Sequence, residues 1–390
     1  MFRQPDWYVT HASVFRPDRC EYVPAFNGPR APLHERIFLT VSTEFHEVLP
    51  NIPNPKSPTA HVLGEYVYTN MSGILAGDAL GRCLGLWRQM KRLGMDKIIV
   101  KHHAHTWSDH SGQGNEPFVQ RLKAARNIPG GDAALADYIR QVKALGYQYF
   151  LYTDYCIFGP VCAHFDEGLV SLSPNGQWKP GWYQYYALTP LMAPVLAARL
   201  APQLKAKYGL TGSYCDQHTC PPPSRWVDYD PRKPGAAMLN TVFRAYCRVF
   251  EIEKRAYRGP VVSEGGNHWF YAGVVDGNYA QLRPPRGVRR SKVPFLVDFD
   301  LLKIHPLEVD IGMGWRGSYG YDRYAKNWDD ALDRFLCATI AFGHSGILYA
   351  PNFPGVYSID KADPLGRWKR SSVRTYFMIQ QLAARYALRP

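Results

Sequence analysis

The chain has 390 residues, 46% of them hydrophobic and 20% charged, which suits one large domain with a substantial core. Its net charge of +13 suggests nucleic-acid binding, but the basic residues are mostly dispersed and no zinc-finger, basic-zipper or RNA-binding motif accompanies them. We therefore exclude nucleic acid as a partner and interpret the charge as a solvated basic face or as attraction for an acidic glycan.

The sequence contains no run of 18 apolar residues, so we predict no membrane span and no membrane partner. Residues 1–8 are polar and aromatic with no apolar run behind them, which is not the pattern of a signal peptide. We expect a cytoplasmic protein, or one whose leader is missing from this chain. The eight cysteines show no paired-ligand spacing and do not indicate a disulfide framework.

Strand-like runs, loops and helical patterns alternate along the chain, which is typical of a parallel β/α architecture. Apolar runs predict strands at 37–41, 97–101, 147–152, 212–215, 259–263, 274–275, 294–297 and 346–349. Helical periodicity predicts helices at 79–93, 131–146, 193–208, 236–257, 329–342 and 372–388.

Eight strands that alternate with helices predict an α/β fold of the (β/α)8 TIM-barrel type, which takes roughly 250 residues. The remaining length would form elaborated βα loops, including a long aromatic insertion at 155–186, and a short N-terminal extension. We predict an extension at residues 1–36 and a catalytic (β/α)8 barrel at residues 37–390. The sequence does not indicate an oligomeric state.

In such a barrel, the residues at the carboxyl ends of the strands point into one shared funnel. Six successive predicted strands end in acids, imidazoles or aromatic residues, which predicts a polar, titratable funnel. The residues at these positions that we expect to bind substrate are His102, His105, Trp107, Asp154, Tyr155, Gln217, His218, Asn267, His268, Asp276, Asp298 and Trp315.

Asp216 and Glu264 are the two acids of this funnel that we expect to be catalytic. Each directly ends a short strand-like run, GSYCD and PVVSE, and neighbouring strands would hold the two carboxyls a few ångströms apart. Cleavage of a glycosidic bond needs two such carboxyls, one to attack and one to protonate the leaving oxygen. Because like charges at this distance cannot both form cheaply, we expect a raised pKa for Glu264. The alternative for either residue is a helix cap or a partner for an arginine.

Four segments of the chain resemble the endo-α-N-acetylgalactosaminidase group of glycoside hydrolases and its uncharacterised relatives. They are GLTGSYCD at 209–216, GPVVSEGG at 259–266, FHEVLPN at 45–51 and LYTDY at 151–155. The resemblance covers roughly residues 37 to 350. It implies a (β/α)8 catalytic domain that cleaves α-linked sugars with retention, with Asp216 as nucleophile and Glu264 as acid/base. Members usually carry β-sandwich domains around the barrel, for which this chain has little room.

The resulting hypothesis is a retaining hydrolase of α-linked galactose- or N-acetylgalactosamine-type sugars, with a glycan as partner, no cofactor and no metal site. A second hypothesis is a metal-dependent hydrolase of the amidohydrolase type. It rests on His103 and His105, whose imidazoles face the same way if they lie two apart on a strand. A third hypothesis is a glycan-binding barrel without catalysis.

Overall fold

The structure is a computed structural model. The residues it describes are 23–32, 39, 41–44, 57–71, 79–102, 124, 128–160, 165–181, 185–264, 268–271, 273–279, 309–311, 347–349, 376–377 and 380–381.

The framework is an eight-stranded sheet in which every neighbouring pair of strands is parallel. The strands of this sheet are β1 (Val67–Met71), β2 (Ile98–His102), β3 (Gln148–Thr153), β6 (Gly212–Cys215), β7 (Val261–Glu264), β8 (Gly277–Tyr279), β9 (Val309–Ile311) and β10 (Ile347–Tyr349). Their order is β10-β1-β2-β3-β6-β7-β8-β9, so the strands follow the chain and the last strand pairs with the first. The seam of the sheet lies between β9 and β10, where the described residues make no pairing.

Helices connect the strands and pack on one face of the sheet. None of them, within the described part of the chain, is long and apolar enough to cross a membrane. The described helices are α1 (Ala60–Glu65), α2 (Ala79–Arg92), α3 (Gly131–Ala144), α4 (Ala193–Tyr208) and α5 (Leu239–Tyr257).

Helix α4 illustrates how the sequence sets these bounds. Leu196, Leu200 and Leu204 recur every four residues and form the buried stripe of the helix. The helix ends at Gly209, whose φ of 64° is left-handed and favours glycine. The predicted bounds, 193–208, agree with the structure because both the apolar period and the terminating glycine are local signals.

The sheet has an outer face, covered by the helices, and an inner face on its other side. On the outer face, Tyr149 of β3 lies against Tyr138 of α3, with ring centroids 6.0 Å apart. On the inner face, Phe150 lies beside Tyr68 of β1 at 6.4 Å. A side chain at Gly212 would collide with the Phe150 ring, which explains the glycine there.

The long insertion after β3 forms a small antiparallel sheet of its own. Strand β4 (Ile157–Phe158) pairs with β5 (Tyr186–Ala187), and isolated bridges such as Leu172 with Trp178 extend it. This unit begins just after the carboxyl end of β3, where the Leu188 N–H donates to the carbonyl of Cys156 at 2.8 Å. The structure thus contains one elaborated βα loop of the kind predicted.

Two of the sequence-based strand assignments, the first and the sixth, are wrong. The first strand is Val67–Met71, whereas at 37–41 the described Leu39 and Val41 are loop residues with 87% and 85% exposure. The sixth strand is Gly277–Tyr279, three residues beyond the predicted 274–275. The strand beside it is Val309–Ile311, while the predicted run 294–297 lies outside the described residues. The division at residues 36 and 37 stays a prediction.

Candidate active site

Asp216 and Glu264 occupy equivalent positions on neighbouring strands. Cys215 and Ser263 are register partners in the β6–β7 pair, so the two acids come level, one at the end of each strand. The Asp216 N–H donates to the carbonyl of Thr153 at 2.8 Å, which ties this position to β3 as well. Strand pairing therefore holds the two carboxyl groups together without any loop to position them.

The chain turns sharply directly after Asp216. Gln217 has a φ of 61°, a left-handed conformation that is uncommon for a residue with a side chain. The carbonyl of Asp216 accepts hydrogen bonds from the N–H and from Nδ1 of His218, each at 2.7 Å. The hydroxyl of Thr219 donates to the carbonyl of Glu264, which joins this turn to the end of β7.

The Asp216 carboxyl lies among polar groups on the inner face. The hydroxyl of Tyr152 donates to its Oδ2 at 2.6 Å, and the Tyr214 hydroxyl and the Glu264 carboxyl lie within hydrogen-bonding reach. Burial raises the pKa of Asp216, while the hydrogen bonds from Tyr152, Tyr214 and Glu264 and the charge of Lys101 oppose that rise. Burial outweighs these effects, so the net shift is upward.

Lys101 is the cation of this cluster and is fully buried. Its ammonium lies 3.9 Å from the centre of the Tyr214 ring, a cation–π contact. Burial lowers the pKa of Lys101 to about 7, although the charges of Asp216 and Glu264 act in the opposite direction. Because the pKa of the lysine falls and that of Asp216 rises, desolvation exceeds their mutual attraction for both groups.

The sequence analysis missed Lys101, Tyr152 and Tyr214 as site residues. Side chains alternate between the two faces of a strand, so Tyr214 shares its face with Asp216, two residues further on. The same alternation places Lys101, rather than His102, on the inner face. Counting back by two from Asp216 would have found Tyr214, and a lysine inside an apolar strand was a signal for Lys101.

His102 and Tyr155 do not lie at the inner-face cluster, and their substrate contacts stay predictions. His102 is buried on the outer face, where its Nδ1 bonds the hydroxyl of Tyr149 at 2.8 Å. The Tyr155 hydroxyl donates to Glu253 of α5 at 3.0 Å, and the side chain is buried. His102 thus joins β2 to the neighbouring β3, and Tyr155 joins the loop after β3 to α5.

Asp276 lies at the opposite end of the sheet from Asp216, and its substrate contact stays a prediction. It precedes β8, and its Oδ2 accepts the N–H of Val261, the first residue of β7, at 2.9 Å. Lys254 of α5 forms an ion pair with it at 3.0 Å. This buried ion pair stabilises the amino-terminal end of the sheet.

Asp154 and His218 lie close to Asp216 and are buried, with 1% and 0% exposure, and their substrate contacts stay predictions. Oδ1 of Asp154 accepts the N–H of Cys156 at 2.7 Å. Desolvation and the charge of Asp216 raise the pKa of Asp154, while desolvation lowers the pKa of His218 to about 4. Ligand atoms of Asp154, Cys156 and His218 lie within 4.8 Å of one another, a grouping that could hold a metal ion.

The other predicted binding residues stay predictions. Gln217 is half-buried on the turn after Asp216. His268 begins the short helical turn His268–Tyr271, and its side chain is outside the description. The residues that lie entirely outside the described part of the chain are His103, His105, Trp107, Asn267, Asp298 and Trp315.

No protein-family model matches this chain, and a search of curated proteins finds no significant match. Solved structures do resemble it. One is the alpha-N-acetylgalactosaminidase NagBb from Bifidobacterium bifidum without ligand, with a TM-score of 0.60, 16% identity, and coverage of 84% of this chain and 53% of that chain.

Two alpha-galactosidases also resemble the chain. TtGalA from Thermus thermophilus, solved with p-nitrophenyl alpha-D-galactopyranoside, has a TM-score of 0.51 at 12% identity and covers 86% of this chain and 64% of that chain. The GH36 enzyme AgaA from Geobacillus stearothermophilus has a TM-score of 0.52 at 12% identity, with 87% and 44% covered. The likeness establishes a shared α/β fold, and this chain spans about half the length of the Bifidobacterium protein.

Proposed function

We propose that this protein is a retaining glycoside hydrolase that acts on α-linked galactose- or N-acetylgalactosamine-type sugars. The observation that carries the proposal is the pairing of Asp216 and Glu264 at level ends of adjacent parallel strands. In the proposed double displacement, Asp216 attacks the anomeric carbon while Glu264 gives its proton to the departing oxygen. Glu264 then takes a proton from the water that releases the sugar from Asp216.

The closeness of the two carboxyls supports retention rather than inversion. Inverting enzymes keep their carboxyls about 6.5–9.5 Å apart to admit a water, and retaining enzymes about 5–5.5 Å apart. Here the Glu264 carboxyl interacts with the Asp216 carboxyl through a side-chain hydrogen bond, and this closeness supports the retaining arrangement. Glu264 is only half-buried, so its side chain has room to move aside for a glycosidic oxygen.

The surroundings of Asp216 support its role as the nucleophile. Attack requires an ionised carboxylate, whose formation burial opposes. The Tyr152 hydroxyl and the Lys101 ammonium act against that cost, because each stabilises a negative charge on Asp216. A buried nucleophile with donors already in place needs little rearrangement when its charge redistributes in the transition state.

The substrate class is supported by likeness of fold. The similar structures are named alpha-galactosidases and an alpha-N-acetylgalactosaminidase, and one of them was solved with an α-galactoside. We extend the same substrate class to this chain as a proposal. Membership of the endo-acting group, closure of the sheet into a full (β/α)8 barrel across its seam, and a barrel spanning residues 37–390 belong to the proposal too.

A glycoside screen tests the proposal. We would measure hydrolysis of p-nitrophenyl α- and β-glycosides of galactose, N-acetylgalactosamine and glucose, and determine the anomer of the first product by NMR. We expect cleavage of an α-galactose-type substrate with the α-anomer formed first. Hydrolysis of β-glycosides alone would refute the α assignment, and a β-anomer released first from an α-glycoside would refute retention.

The acid/base role is tested with Glu264→Gln. We expect kcat/KM to fall by about 10²–10⁴-fold, the usual contribution of a positioned proton donor. Glu251→Gln is the control, because Glu251 is an exposed carboxylate on α5 that pairs with Arg248. Equal activity in the two variants would remove Glu264 from the mechanism. Sugar binding without any turnover in the unmodified protein would favour the glycan-binding alternative.

A further inference from the structure

Three side chains of different ligand types meet behind the candidate active site. Asp154 and Cys156 lie in the loop after β3, and His218 lies in the turn after β6. One carboxylate oxygen, the thiol sulfur and one ring nitrogen lie within 4.8 Å of one another. All three residues are buried, and none of them has a part in the proposed sugar chemistry.

Hydrogen bonding fixes the tautomer of His218. Its Nδ1 lies 2.7 Å from the carbonyl oxygen of Asp216, and a carbonyl oxygen can only accept, so Nδ1 carries the proton. The lone pair is therefore on Nε2. Histidines that bind metals commonly donate their other ring N–H to a carbonyl or carboxylate in this manner, which fixes the ring for coordination.

Two polar atoms of these residues have no hydrogen-bond partner among the described residues. Neither Nε2 of His218 nor Oδ2 of Asp154 makes a hydrogen bond to any described residue. The other oxygen of Asp154 is held by the N–H of Cys156 at 2.7 Å, so Oδ2 is the oxygen left to bind a ligand. Buried polar atoms are nearly always satisfied, and two such acceptors beside a thiol would be satisfied together by one cation.

We propose that Asp154, Cys156 and His218 form a structural binding site for a divalent transition metal, with zinc as the preferred ion. A thiolate, a carboxylate and a neutral imidazole are all accepted zinc ligands, and the two negative charges would balance the ion in a dry interior. In a tetrahedral site with ordinary zinc bond lengths, the ligand atoms lie about 3.4–3.6 Å apart. Contraction by about an ångström from the upper limit of 4.8 Å gives that geometry.

Such a metal would secure the turn that presents Asp216. His218 is joined to the Asp216 carbonyl through both its backbone N–H and its Nδ1, so fixing the imidazole also fixes this carbonyl. The ion would connect the loop after β3 to the turn after β6. The sequence analysis did not find this grouping, because these ligands come from separate segments with no motif spacing. The proposal stands independently of the sugar chemistry.

The test is metal binding by the purified full chain after chelator treatment. We expect one Zn²⁺ per chain, and with Co²⁺ a thiolate-to-cobalt charge-transfer band and the d–d bands of a tetrahedral site. Cys156→Ser should abolish the charge-transfer band and weaken Zn²⁺ binding at least about 100-fold, since even outer-shell changes cost 10–100-fold. Cys247→Ser is the matched control, because Cys247 is a free cysteine on α5 outside the cluster.

Absence of Zn²⁺ binding and of the cobalt band in the unmodified chain would overturn the proposal, as would an equal band in Cys156→Ser. X-ray absorption of the zinc-loaded unmodified chain keeps the test valid if that variant does not fold. One sulfur scatterer with nitrogen and oxygen neighbours is expected. A shell of nitrogen and oxygen alone would place the ion elsewhere and refute the site.

Discussion

Two buried carboxyl groups lie on opposite faces of the sheet near β6 and differ in their surroundings. Glu253, from α5, lies against the outer face and accepts hydrogen bonds from Ser213 at 2.6 Å and Tyr155 at 3.0 Å. Asp216 lies on the inner face beside a second carboxyl and a lysine. Burial raises the pKa of both acids. A raised pKa therefore does not distinguish a site from a structural network.

What distinguishes the two acids is the chemistry of their partners. Glu253 is fully buried and accepts hydrogen bonds from Ser213 of β6 and from Tyr155 of the loop after β3, which hold α5 against the sheet. Asp216 lies at a strand end beside Glu264. Because Glu264 is only half-buried, a substrate can approach Asp216 from the side of Glu264. The comparison predicts that the inner acid controls turnover and the outer acid controls stability.

The largest expected effect is that of Asp216→Asn. Removing the nucleophile should lower kcat by at least about 10⁴-fold, the scale measured when a group of a covalent catalytic set is removed. The measurement is turnover of the best α-glycoside from the screen. Asp137→Asn is the control, because Asp137 is an exposed carboxylate that pairs with Arg140. A fall in kcat of less than tenfold in Asp216→Asn would contradict the prediction that the inner acid controls turnover.

Tyr152→Phe should have the next largest effect. It removes the 2.6 Å hydrogen bond to Oδ2 of Asp216, and hydrogen bonds to charged groups contribute about 1.5–3 kcal/mol. We expect kcat/KM to fall by about 10–150-fold, with the acidic limb of its pH profile moved to higher pH because the ionised form of Asp216 loses a donor. An unchanged pH profile would show that this hydroxyl does not support the carboxylate.

Glu253→Gln should show the reverse pattern. An amide cannot accept at both positions, so the hydroxyls of Ser213 and Tyr155 lose one of their acceptors. We expect a loss of about 1–3 kcal/mol in the free energy of unfolding, measured by denaturant titration. We expect kcat to stay within a few-fold of that of the unmodified chain. A collapse of kcat with stability unchanged would mean that the outer network belongs to the catalytic machinery.

Lys101→Met should give a change that is visible in the pH dependence of stability. Burial lowers the folded pKa of Lys101 to about 7, while the unfolded chain keeps this proton until its ordinary value of 10.5. Between these values the unfolded state holds more protons, so rising pH favours the folded state, by at most about 1.4 kcal/mol per pH unit.

The neighbours of Lys101 on the inner face are Asp216 and Glu264, with the Tyr214 ring beside its ammonium. The free energy of unfolding is measured against pH for the unmodified chain and for Lys101→Met. The difference between the two curves gives the contribution of Lys101, which should rise from pH 7 upward. A difference that is flat between pH 7 and 9 would show that Lys101 stays protonated when folded.

The centre of the sheet was predictable from the sequence because its signals are local. Strands β2, β3, β6 and β7 are apolar runs bounded by loops, and Gly209 ends α4 where predicted. The rule that acids at strand ends converge brought Asp216 and Glu264 together, and the register confirms that they are level.

The other strand bounds and the remaining site residues could not be predicted, because they depend on strand pairing and on the face of the sheet that each side chain occupies. Val274–Val275 is more apolar than Gly277–Tyr279, yet pairing with Val262 sets the strand at the later segment and leaves Asp276 before it. The sequence analysis selected His102 because its side chain is an imidazole. A shift of one residue along a strand moves the side chain to the other face of the sheet, and it is Lys101 that lies on the inner face.

Trapping of the glycosyl-enzyme intermediate tests the central claim most directly. The chain would be incubated with a fluorinated α-galactosyl fluoride, which slows the second displacement, and then digested and analysed by mass spectrometry. The account predicts a sugar attached to the peptide that contains Asp216, and none in Asp216→Asn. A label on another acidic residue, or turnover of the same substrate class by Asp216→Asn at an undiminished rate, would contradict it.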